Sequence, residues 1–224
     1  MRTQHVQSLK STLSKIADRA FSKAGIGFLC AYAMASHADY QKIIEEDFWA
    51  KVYPNGGQTF YCRNEFSKPS PVLNVGHVYP SSWISDHLNC RSERTCLRTN
   101  EQYSTIISDM HNMVPVEAYH YFKIKGSIFG DLDDTIEASE CGVKKRLHII
   151  DPHDELKGDV ARIHFYMHHR YQLPLNSNFA FMKEWHQADP PDTNEKARNQ
   201  RIKASQGNDN PFISQPDLVT TLDF

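Results

Sequence analysis

His77 lies at the middle of the stretch Asn74-Val75-Gly76-His77-Val78-Tyr79-Pro80, and thirty-two residues beyond it begins Asp109-Met110-His111-Asn112-Met113-Val114-Pro115. An imidazole titrates close to working pH, so a histidine presented by a strand can take a proton from an attacking water. An asparagine in a following turn can brace it from below, through an amide that both donates and accepts. Arg91, Arg94 and Arg98 lie between the two segments, and a guanidinium grips phosphate oxygens bidentately.

These residues need elements to hold them. Alternation predicts a strand over residues 72–79 and another over 59–62, after the turn Pro54-Asn55-Gly56-Gly57. Residues 39–53 read as a short helix with Ile43, Ile44, Phe48 and Trp49 on one side, and residues 99–108 as a helix leading into the Asn112 turn. Residues 126–158 are loop-rich, with a weak strand at 147–150. A helix over 159–171 places Val160, Ile163, Met167 and Tyr171 on one face, and 178–188 is another. Residues 213–224 read as a tail.

The chain has 224 residues, of which 40% are hydrophobic. That supports one sizeable core rather than two domains. Residues 1–38 carry Arg2, Lys10, Lys15, Arg19 and Lys23 against Asp18 alone, then run apolar from Gly25 to Ala35 and offer Ala33-Met34-Ala35 and Ser36-His37-Ala38 as cleavage sites. This is the layout of an export leader, too short in its apolar part to anchor in a bilayer. The competing reading is an amphipathic helix docked on the domain.

Cysteine usage agrees with export. Setting aside Cys30, inside the apolar run, Cys62, Cys90, Cys96 and Cys141 remain. Cys90 and Cys96 bracket a short loop and form the natural short bridge, leaving Cys62 and Cys141 for the long one. Zinc is the rival, but there is no Cys-x-x-Cys and the spacings are irregular.

The whole chain carries 25 basic and 27 acidic residues, and without residues 1–38 it carries 20 against 26. The overall charge is therefore a poor match for a polyanion binder. Local clusters remain at Arg91, Arg94 and Arg98, at residues 144–146, and at Lys196, Arg198, Arg201 and Lys203; each is either a phosphate contact or a solvated face. His164, His168 and His169 have the spacing of a zinc pair but lack the following Glu, and read as structural.

Six strings occur together in order: Phe60-Tyr61-Cys62; His77-Val78-Tyr79-Pro80 followed by Trp83; the Cys90 to Cys96 loop; Ser108-Asp109-Met110-His111-Asn112-Met113-Val114-Pro115; Gly158-Asp159-Val160-Ala161-Arg162 with Tyr166-Met167; and Arg201-Ile202 through Gln206-Gly207-Asn208-Asp209-Asn210-Pro211-Phe212. Between about Gly57 and Phe212 the chain resembles the bacterial endonuclease I family, periplasmic or secreted non-specific nucleases. The resemblance implies a single α+β domain over residues 39–212 with a disulfide-stabilised ββα-metal (His-Me finger) core. It implies an exported, monomeric, metal-dependent endonuclease acting on DNA and RNA through the phosphate backbone, with no membrane span. His77 would be the general base, Arg94 or its competitor Arg98 the phosphate-binding arginine, and Mg²⁺ the cofactor, hard and oxygen-liganded.

Two departures accompany the resemblance. The family places Glu, a metal ligand, immediately before the catalytic histidine, where this chain has Gly76. Its second ligand is an Asn nine residues beyond the Asn of the Asp-x-His-Asn turn, which falls here on Tyr121. His120 could replace it as a nitrogen ligand, shifting preference toward Mn²⁺, Zn²⁺ or Ni²⁺. Asn112 could also reach a metal, or its amide could simply brace the turn. The alternative to an enzyme is a degenerate member that keeps fold and disulfides and acts as a nucleic-acid-binding or protein-interaction module.

Overall fold

The computed structural model describes residues 39–175 and 179–222. The leader expected over residues 1–38 lies outside them. Helices and short strands mix in an α+β arrangement.

Chain order begins with α1 (Ile43–Val52), a wide π-type helix that buries Phe48 and Val52. A small hairpin follows, β1 (Gly57–Gln58) against β2 (Glu65–Phe66). The strand expected over residues 59–62 is instead the tight connection of this hairpin. Its backbone closes on itself, with Thr59 N–H donating to Asn64 C=O at 2.9 Å and Thr59 C=O accepting from Arg63 N–H at 3.0 Å. Arg63 takes a positive φ of 58° to do so.

β3 (Leu73–His77) pairs antiparallel with β4 (Met113–Glu117), in a register that sets Gly76 opposite Val114 and His77 opposite Met113. Between them run α2 (Ser81–His87), α3 (Glu93–Thr99) and α4 (Glu101–Ile107). Ser92 and Asn100 cap α3 and α4, their side-chain oxygens accepting from Thr95 N–H and Tyr103 N–H; such caps satisfy backbone donors that a helix leaves open. Directly after β4 comes α5 (Ala118–Ile124). A three-stranded sheet then forms from β5 (Ile128–Phe129), β6 (Lys144–Arg146) and β7 (Ile149–Asp151), with β7 in the middle.

The core is organised around α6 (Asp154–Tyr171), whose residues 160–167 are all buried. A helix apolar on most sides belongs at the centre of a fold, and α7 (Phe179–Ala188) packs along it. α8 (Thr193–Gln206) and α9 (Pro211–Ser214) complete the body. The segment after Phe212, expected as a tail, turns back: a 3-10 helix over Pro216–Thr221 buries Val219, and Pro216 C=O accepts from His186 Nε2 at 3.0 Å.

Both bridges form as expected, Cys90 to Cys96 and Cys62 to Cys141. The first ties the exit of α2 to α3; the second ties the β1–β2 connection to the loop before β6. No described helix is long and apolar enough to cross a membrane.

Candidate active site

The site is built where β3 ends. His77 is only 8% exposed, and its Nε2 lies 2.8 Å from the Ile107 carbonyl at the end of α4. A carbonyl only accepts, so Nε2 carries the proton and Nδ1 keeps its lone pair. Burial lowers the His77 pKa, opposed by the Ile107 bond and the Glu93 charge. Burial thus favours the neutral imidazole, with the lone pair on Nδ1.

Tyr121 holds the same residue from the other side. Its hydroxyl accepts from the His77 N–H at 2.9 Å and donates to the His77 carbonyl at 3.1 Å. This requires α5 to lie close across β3, and Gly76 makes that approach feasible. A Cβ at Gly76 would come within 2.8 Å of Val116 Cγ1 and 3.0 Å of the Tyr121 ring. Glycine before the histidine and tyrosine on the helix are therefore one packing solution, which neither residue alone discloses. Tyr40 stacks on the imidazole, centroids 6.4 Å apart at 21°.

Asn112 is wholly buried at the foot of β4. Its Oδ1 accepts from Tyr79 N–H at 2.7 Å and its Nδ2 donates to Tyr79 C=O at 3.0 Å. Both polar ends are thus spent on the backbone just beyond His77, as a brace. Beneath it, Asp109 gathers three of the six sequence strings. Its Oδ2 accepts from the Tyr166 and Tyr171 hydroxyls at 2.5 and 2.7 Å, and its Oδ1 accepts from Gln206 Nε2 and His111 N–H at 2.7 and 2.9 Å.

A second buried network underlies the Gly158-Asp159-Val160-Ala161-Arg162 string. Arg162, with no exposed surface, pairs with Glu195 at 2.7 Å and Asp159 at 2.8 Å. It also donates to the Asp189 carbonyl at 2.6 Å. Gly158 lies so near that a Cβ would sit 2.0 Å from the same carbonyl.

Arg94 and Arg98 are exposed on α3, without an ion pair among the described residues. The C-terminal basic cluster is partly committed to structure: Arg198 donates to Met110 C=O at 2.7 Å and to Met113 C=O, and Arg201 to Val52 C=O at 2.6 Å. His164 is wholly buried, with Nδ1 2.9 Å from Val160 C=O, in agreement with its structural reading. His120 is placed against the Cys62 to Cys141 bridge, the three ligand atoms lying within 4.8 Å of one another. The two sulfurs are bonded to each other, so they offer no thiolates to a metal.

Sequence reasoning missed two neighbours of His77, Tyr40 and Glu93. Glu93 opens α3, accepts from Ser81 Oγ at 2.5 Å, and acts electrostatically on His77, Tyr40, Tyr103 and Tyr121. The signal that could have found it is its place inside the Cys90 to Cys96 loop, which the bridge folds back toward Ser81.

A family model described as Endonuclease I matches residues 5–217. An "Extracellular ribonuclease" of Bacillus subtilis is 27% identical over 94% of this chain and 72% of its own length. An "Extracellular deoxyribonuclease" of Aeromonas hydrophila is 29% identical over 74% of this chain and 76% of its own. A "Periplasmic deoxyribonuclease" of the same organism is 29% identical over 81% and 88%.

Proposed function

The chain belongs to the endonuclease I family, and from that premise we propose that it is an exported, sequence-non-specific endonuclease hydrolysing phosphodiester bonds in DNA and RNA, with His77 as general base. The observation that carries this reading is the fixed tautomer of His77: Nε2 is engaged by Ile107 C=O, so Nδ1 is the nitrogen that takes the proton of the attacking water. The imidazolium so formed is favoured by the Glu93 charge. Arg94 and Arg98 would hold the non-bridging oxygens, a contact to phosphates rather than bases that weakens steeply with salt. The antiparallel pair β3–β4 followed by α5 supports assignment of the ββα core, with His77 at the strand end and α5 as its helix. Similarity to extracellular and periplasmic nucleases supports export.

In the family a divalent cation neutralises charge at the phosphorus and the leaving oxygen. The two positions that usually hold it do not fit one here. Gly76 has no side-chain donor. The Tyr121 hydroxyl is engaged in both directions by the His77 backbone, and burial pushes its pKa up, away from the phenolate a metal would need. Asn112 is likewise spent on Tyr79. The catalytic steps above therefore rest on the chain's own residues.

The same two residues favour a second reading, a member that binds nucleic acid through this fold without cutting it. Conversion of supercoiled plasmid to nicked or linear form by the disulfide-intact chain, tested in EDTA and with Mg²⁺ or Mn²⁺ added, supports the nuclease. Binding without conversion under all these conditions supports the binder.

A further inference from the structure

Helix α5 has a second, outward face. Tyr119 and Phe122, three apart and so on one side of the helix, are 68% and 73% exposed. Two large aromatics side by side in solvent are not required by the core, since the same helix already anchors itself through Tyr121 and Ile124. Each ring carries an ammonium on it: Lys123 Nζ is 4.0 Å from the Tyr119 centroid and Lys125 Nζ is 5.4 Å from that of Phe122. Lys145, on strand β6, donates to the Lys123 carbonyl, bringing a third cation and its exposed neighbour Arg146 to the same place. No acidic residue occurs between Ala118 and Gly130. On a chain with net charge −2, this surface is locally cationic and aromatic together.

We propose that this face of α5 docks single-stranded nucleic acid, stacking bases on Tyr119 and Phe122 and placing the backbone phosphates on Lys123, Lys125 and Lys145. Every base has a π-face, so such a platform tolerates any sequence. Bases within a duplex are already stacked on one another and cannot use it, so the surface discriminates strandedness. The cations make a polyanion the complementary occupant. The lysines steady the rings by cation–π attraction, while the high exposure of both rings leaves surface open for a base. The proposal rests on the nuclease reading and narrows its substrate class: α5 grips His77 on its inner side and a flexible strand on its outer side.

The test is fluorescence anisotropy with a labelled oligothymidylate and a duplex of equal length, all in a His77→Ala background of the full, disulfide-intact chain so that the probes stay uncut. Tyr119→Ala/Phe122→Ala is expected to weaken single-strand binding at least about tenfold, since stacking on one aromatic alone contributes a factor of this order. Duplex affinity should change less than about twofold. Tyr119→Trp/Phe122→Trp should retain single-strand affinity, and Lys123→Gln/Lys125→Gln should flatten its salt dependence. Parent-like single-strand affinity in the alanine variant, or equal loss for strand and duplex, overturns the platform and leaves the nuclease reading standing. So does a result in which the aromatic pair governs only binding to anionic phosphatidylserine vesicles or self-association. A parent that binds neither probe overturns both.

Discussion

The Tyr121 hydroxyl closes on both polar groups of the His77 backbone, accepting from N–H at 2.9 Å and donating to C=O at 3.1 Å. A single side chain from α5 thus fixes the backbone of His77, the residue proposed as the base. The clamp is sterically coupled to Gly76, whose missing Cβ leaves room for the Tyr121 ring.

Breaking that clamp should cost stability and activity together. Tyr121→Phe strands two partly buried backbone groups, a loss of about 1–3 kcal/mol, and should lower kcat more than it raises KM. Gly76→Glu alone should destabilise through the collision with Val116 and Tyr121, whereas Gly76→Glu/Tyr121→Asn should be less harmful than the sum of the two changes. A double-mutant cycle on denaturant midpoints checks it; additivity within about 0.5 kcal/mol would show that the positions are independent.

The pH dependence follows from the neutral state that a base requires. Burial lowers the His77 pKa, so the acid limb of kcat/KM should lie below 6.5, the ordinary value. Glu93 favours the imidazolium, and removing its charge should move the limb lower still. A kcat/KM profile of Glu93→Gln between pH 4.5 and 8 reads this directly, with a shift to higher pH as the opposing result.

His164 makes the fold acid-sensitive. It is buried neutral with its pKa pushed down to about 4 by loss of solvent, while the unfolded chain binds the proton near 6.5. Below 6.5 the unfolded state therefore holds more protons, and this contribution, fully present above 6.5, is lost as the pH falls toward about 4. His164→Phe should narrow the difference in Tm between pH 7 and pH 5. An undiminished difference would place the acid sensitivity elsewhere.

Arg162 answers to Glu195 and Asp159 inside the protein. Arg162→Met leaves the buried Glu195 carboxylate and the partly exposed Asp159 uncompensated, and the expected loss is about 3–5 kcal/mol. Arg162→Met combined with Glu195→Gln should recover part of it. Chemical denaturation measures both, and a single variant as stable as the parent would contradict the network.

Much of this was legible in the sequence, for identifiable reasons. Alternation located β3, because its register is set by one buried face, and the helical period of Val160, Ile163 and Met167 located α6. The short bridge followed from loop length, and the long one paired the two cysteines left over. The strand expected at 59–62 failed because Thr59, Phe60, Tyr61 and Cys62 are β-formers used in a turn, pinned by the bridge at Cys62 and by Phe60 N–H to Pro115 C=O at 2.7 Å. The helix α8 escaped notice because its sequence is polar nearly throughout, with Ile202 its one buried apolar residue. At the site, the strand that carries His77 could be read from its string, and of the two readings open for Asn112 the structure shows the brace, on the Tyr79 backbone. The Tyr121 clamp could not, since it depends on α5 crossing β3, a long-range approach that leaves no periodicity in either segment.

The proposed role of His77 is read most directly by plasmid nicking with the folded, disulfide-intact chain beside His77→Ala. Cleavage by the parent and its loss in the variant are expected, with unchanged circular dichroism and nearly unchanged DNA affinity. Cleavage by His77→Ala at the parent rate would contradict that role, because the proton would then be taken by another group.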